Sequence, residues 1–99
     1  MSAGSYRPYR LPSDGDQIGA EILLERERAH AKHDAKGHSV ERAVWNDPRW
    51  LPILTEELGE VARCLCDYST LSDLSDELIQ VAAMASAWHD AIQERIAGK

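Results

Sequence analysis

Residues 54–65 read LTEELGEVARCL and residues 74–84 read LSDELIQVAAM. In the first stretch and its flanks, Leu51, Leu54, Leu58, Val61, Ala62 and Leu65 recur at the spacing of one helical face. In the second, Leu74, Leu78, Val81, Ala85, Trp88 and Ile92 do the same. Asp47-Pro48 supplies an N-cap and a first-turn proline for the earlier helix. The later helix is expected to start near Ser72 and to end at Gly98. The link around Asp67–Leu71 is short, so the two helices are expected to fold back on each other as an antiparallel hairpin.

The acidic residues of this hairpin do not sit on a plain solvent face. At about 100° per residue, Glu57 falls between Val61 and Cys64, at the edge of the apolar stripe. Glu60 falls beside Ile53, and Glu56 lies further out. Glu77 is flanked by Val81, Met84 and Trp88, with Gln80 nearby. A carboxylate aimed at apolar neighbours is costly unless something compensates it, and a divalent cation would do so. In a hairpin, residues equally far from the turn face each other. The pairs Glu60/Glu77 and Glu57/Gln80 share one centre, between residues 68 and 69, inside the expected link. One register therefore brings three carboxylates and one amide across a single seam. All are oxygen donors, which suit Mg²⁺ or Mn²⁺ and not Zn²⁺.

Working outward, a first helix is expected from near Ser13, capped with Asp14 and Asp16 behind it, to Lys32–Ala35. Ile18, Ile22 and Leu23 form its apolar stripe, Glu25–Arg28 read as a solvated face, and Gly37 stops it. Residues 1–12, with Gly, Ser and two Pro and no periodicity, read as a flexible arm before a single domain over 13–99. Its Tyr6, Arg7, Tyr9 and Arg10 could touch a ligand or a partner subunit.

Ninety-nine residues hold one domain of modest core, so a core shared with a second copy is expected. The net charge of −6 argues against binding polymeric nucleic acid or an anionic membrane, but a metal ion can reverse the field locally for one nucleotide. Cys64 and Cys66, two apart, point to different sides of a helix and read as free, buried thiols in a reducing compartment. No apolar run approaches the roughly 20 residues of a membrane span, and a cytoplasmic location is expected. Glu27-x-x-His30 has the form of a di-iron half-site, but no second copy exists. His30, His33 and Asp34 read as an exposed helix end before a zinc site. No GxxxxGK[ST], GxGxxG or GxSxG stretch is present.

With these residues in place, the chain resembles the MazG-like all-α nucleotide pyrophosphohydrolase family over residues 21–95. That family carries EExxE on one helix and ExxD further on. Glu56, Glu57 and Glu60 match the first motif and Glu77 opens the second. ERERAHAKH (25–33), WLPILTEELGEV (50–61) and DELIQVAAMASAW (76–88) resemble small phage and actinobacterial members. Gln80 stands where the family has Asp, which removes one negative charge, and His33 stands where a Trp often follows the Lys. The resemblance implies an all-α four-helix-bundle core completed in a homodimer or homotetramer. It implies hydrolysis of a nucleoside triphosphate to monophosphate and pyrophosphate. Glu57, Glu60, Glu77 and Gln80 would hold Mg²⁺, and Glu56 or the metal would activate water. Lys32 would contact phosphate, and His33, Trp45 or Trp50 would meet the base. Two other readings stand beside it: a nucleotide-binding regulator without turnover, and a helical interaction module.

Overall fold

The computed structural model describes residues 16–42 and 47–98, and among them the fold is all-helical, with no strand. Helix α1 spans Asp16–Asp34, α2 spans Asp47–Cys66 and α3 spans Leu71–Ile96; a short 3-10 turn, Val40–Arg42, follows α1. Residues 1–12, Ser13, Asp14 and Trp45 lie outside the described residues. No described helix is long and apolar enough to cross a membrane.

Local chemistry explains the boundaries. After α1 the chain turns at Gly37, whose φ of +77° is left-handed. There the His38 N–H donates to His33 O and the Gly37 N–H to Asp34 O, closing the last carbonyls of the helix. α2 ends in the same way around Tyr68, with φ of +53°, where the Ser69 N–H reaches Cys64 O. A tyrosine is an unusual residue for that conformation. α3 starts at Leu71, one residue before the expected Ser72. Thr70 is its cap: its Oγ1 accepts from the Asp73 N–H at 3.0 Å, and its own N–H donates to Asp73 Oδ2 at 3.4 Å.

The four-residue link 67–70 returns α3 antiparallel to α2. The far ends of the hairpin are tied together as well. Asp47, at the start of α2, accepts from Trp88 Nε1 at 3.0 Å and from Arg95 Nη2 at 2.9 Å, both late in α3. These bonds hold its carboxyl below the ordinary range, the Trp88 bond most strongly. Trp50 and Trp88 stack between the two helices, with centroids 6.2 Å apart and planes 5° from parallel. Among the described residues, Trp50, Ala83 and Ala87 are the buried apolar ones.

α3 is the central helix. α1 and α2 both pack on it and do not pack on each other. The small residues Ala83 and Ala87, one turn apart, let α1 approach α3 closely. The leucine stripe of α2 is not the intrachain core that its periodicity suggests. Leu51, Leu58 and Leu65 are exposed, and so are Leu71 and Leu78 on α3 and Ile18 and Leu23 on α1. The contact with α3 is made by the neighbouring flank of α2, which carries Trp50, Glu57 and Val61. The thiols are free, but Cys66 is exposed and Cys64 only half-buried, which corrects the expectation of two buried thiols.

Candidate functional site

Because α1 and α2 stand apart on α3, a cavity of about 250 Å³ opens between them. α1 contributes Arg28, Lys32 and His33, α2 contributes Glu57, and α3 contributes Gln80 and Met84. The segment after α1 closes one side with Val40 and Glu41. A wider groove of about 700 Å³ continues from it between α1 and α3, sharing Glu25, Arg28, Lys32 and Gln80.

Glu57 is the electrostatic centre. One carboxylate oxygen, Oε2, is buried without a hydrogen-bond partner. Burial raises its carboxyl above the ordinary range, and the charge of Glu77 adds to the effect, ahead of Glu56, Glu60 and Glu25. Glu77, on α3, also has a buried Oε2 without a partner. The seam between α2 and α3 thus holds two carboxylates with unsatisfied oxygens, and Gln80 lines the cavity beside Glu57. A buried acceptor of this kind attracts a cation or a proton. Glu60 lies to one side, with Oε2 3.6 Å from Arg63 Nη1, and Glu56 is exposed. Among the described residues, no three His, Cys, Asp or Glu side chains are gathered closely enough to hold a metal ion. Of the four donors read from sequence, Glu57 and Gln80 line the cavity, Glu77 is half-buried outside its lining with its charge acting on Glu57, and Glu60 is turned toward Arg63.

The opposite wall is cationic. Lys32 is exposed and lines both the cavity and the groove, and it makes no ion pair among the described residues. Arg28 pairs with Glu25 one turn earlier, Nε to Oε2 at 2.8 Å and Nη2 to Oε1. His33 Nδ1 is buried without a partner, and its ring lies 5.6 Å from that of His38. Burial lowers its pKa, and the charges of Lys32, His38, Lys36 and Arg28 lower it further, so the ring is neutral at pH 7. Trp50 does not reach the cavity; it is buried against Trp88. His30 Nδ1 lies 2.7 Å from Ser39 Oγ, which ties the ring to the segment after α1.

Sequence reading missed Arg26, Arg28 and the segment Ser39–Glu41. A signal for Arg28 was present: Glu25, Arg28, Ala29 and Lys32 share one helical face, so choosing Lys32 implied its neighbours. Arg26 had no such signal, because its partners Glu41 and Asp90 are 15 and 64 positions away.

The cavity thus sets one unsatisfied carboxylate oxygen, that of Glu57, against Lys32, which makes no ion pair among the described residues. No family model matches this chain, and no curated protein or solved structure matches it either.

Proposed function

We propose that the chain is a MazG-like pyrophosphohydrolase that converts a nucleoside triphosphate, ribo- or deoxyribo-, to its monophosphate and pyrophosphate. The observation that carries this reading is the buried, partnerless oxygen of Glu57, which lines one cavity with Lys32, together with a second such oxygen on Glu77, whose charge acts on Glu57. Their chemistry fits a hard divalent cation. Glu57 and Glu77 would hold Mg²⁺, or Mn²⁺, with Gln80 as a neutral oxygen donor and Glu60 joining after release from Arg63. When bound, the metal neutralises phosphate oxygens and stabilises charge on the leaving pyrophosphate.

The remaining work belongs to the chain. Lys32 attracts and orients the polyphosphate. Neutral His33 meets the nucleoside as a hydrogen-bonding surface and not as a charge. A carboxylate of the cluster, Glu56, accepts a proton from the attacking water. The water oxygen bonds to the α-phosphorus while the bond to the α,β-bridging oxygen breaks, and pyrophosphate departs with that oxygen.

The uncovered leucines support an oligomer. Leu51, Leu58 and Leu65 on α2 and Leu71 and Leu78 on α3 give the hairpin an exposed apolar surface. A second hairpin laid on it completes a four-helix bundle in a homodimer or homotetramer.

Two observations favour a second reading. The carboxylates are not gathered as a threefold set, and Gln80 lacks a charge. A nucleotide-binding regulator without turnover fits both facts. Pyrophosphate release over a panel of nucleoside triphosphates with Mg²⁺ separates the two. Wild type is expected to turn over at least one, Glu60→Gln to lose turnover, and Gln80→Asp to keep or raise it. A folded protein that binds nucleotide and releases nothing is the regulator.

A further inference from the structure

The segment that follows α1 is fastened at both ends of a short span. Its first tie is the His38 N–H to His33 O at 3.3 Å. Ser39 is 4% exposed, and its Oγ lies 2.7 Å from His30 Nδ1 and accepts from the Glu41 N–H at 3.2 Å. The Glu41 carboxylate is gripped by Arg26 in the fork geometry, Nε to Oε2 at 2.9 Å and Nη2 to Oε1 at 2.6 Å. The third arm of the same guanidinium, Nη1, donates to Asp90 Oδ2 at 2.7 Å and to Ser86 Oγ at 3.4 Å on α3. Arg26 therefore joins α1, the strap 38–41 and α3 at one point. Val40 sits between the two fastened residues and lines the cavity, whose other apolar lining is Ala29, Ala83 and Met84.

We infer that Arg26 is a positioning residue: acting through Glu41, it holds Val40 as the wall against which the nucleoside end of the ligand packs, and it does not itself bind phosphate. This rests on the nucleotide reading of the cavity. Arg26 and Lys32 both line the cavity but differ in state. Two carboxylates face the one guanidinium of Arg26, which leaves no net positive charge, and all three of its nitrogens are donating. An incoming phosphate would have to displace Glu41 or Asp90. Lys32 has no such competitor. The two cations thus divide the ligand: Lys32 attracts the polyphosphate, and Arg26 shapes the apolar wall.

The test uses the full chain and two probes with Mg²⁺, inorganic tripolyphosphate and the preferred nucleoside triphosphate. Glu41→Ala cuts the strap loose while Arg26 Nη1 keeps its bond to Asp90 on α3. Arg26→Lys keeps the charge and loses the fork. Both are expected to weaken the nucleoside triphosphate about 5- to 20-fold, the size of one charge-assisted anchor, and to leave tripolyphosphate within about twofold. KM rises by the same factor while kcat stays within about twofold. Amide hydrogen exchange over 38–41 accelerates in both variants, and Lys32→Ala weakens both probes alike. Tighter binding of either probe by Glu41→Ala, or wild-type affinity for the nucleoside triphosphate in either variant, would overturn the inference, because Arg26 would then be a free charge or an idle one. If wild type binds neither probe, the nucleotide reading falls separately and exchange decides the strap: faster exchange in Glu41→Ala upholds the Arg26 tie, and unchanged exchange overturns it.

Discussion

Glu57 is held more protonated in the folded chain than in the unfolded one, because burial and Glu77 both disfavour its charge. The sign follows from linkage. A carboxyl raised above its ordinary value of 4.5 makes the fold bind protons that the unfolded chain releases, so stability falls as pH rises from 4.5 through the raised value. The penalty is present wherever the pH lies above the raised value. Glu57→Gln removes it, and the metal-free variant is expected to melt a few degrees above wild type at pH 7. That gain should shrink to nothing as the pH falls below 4.5, while turnover is lost at every pH. Thermal unfolding across that range checks the sign, and a lower melting temperature for Glu57→Gln at pH 7 would mean that its carboxylate is compensated. Tyr68 offers a second test at this scale. Its side chain is 95% exposed and its backbone is left-handed, so replacement loses no packing. Tyr68→Gly is expected to stabilise the chain by about 1 kcal/mol, the ordinary cost of that conformation for a side chain, read from urea unfolding.

At the scale of the helices, Trp50 and Trp88 carry the hairpin seam. Trp50 is 1% exposed, and its loss leaves a void the size of an indole. Trp50→Ala is expected to cost roughly 3–5 kcal/mol, most of the stability of a small domain, and circular dichroism should report a largely unfolded chain at 37 °C. The helices themselves were legible in the sequence, because periodicity, Gly37 and the turn around residues 67–70 are local signals. Which flank of α2 meets α3 was not. Leu51, Leu58 and Leu65 mark the more apolar flank, yet α3 packs on the flank with Trp50 and Glu57. A period reports that a face is apolar and says nothing of whether the neighbour comes from the same chain. The site divides in the same way. Glu57 and Gln80, which a register set opposite each other, both line the cavity. Glu60's turn toward Arg63 is a rotamer choice within one helix, and the Arg26 tie joins residues 64 apart; neither has a signature in spacing.

For the whole molecule, two helices packed on a central third leave a large apolar surface uncovered among the described residues, and a net charge of −6 works against casual association. The proposed oligomer resolves both, since it buries leucines between hairpins while keeping acids outside the seam. Leu58→Glu places a charge at the centre of that surface. It is expected to shift the sedimentation coefficient to that of a monomer with helical content retained, and an unchanged oligomer would move the interface elsewhere. The claim on which the rest depends is that Glu57 and Glu77 form one cation-dependent catalytic pair. Pyrophosphate release from nucleoside triphosphates with Mg²⁺, by wild type and by folded Glu77→Gln, tests it most directly. Release by wild type that requires Mg²⁺ and is lost in Glu77→Gln is the expected result; equal release by the two proteins would contradict it.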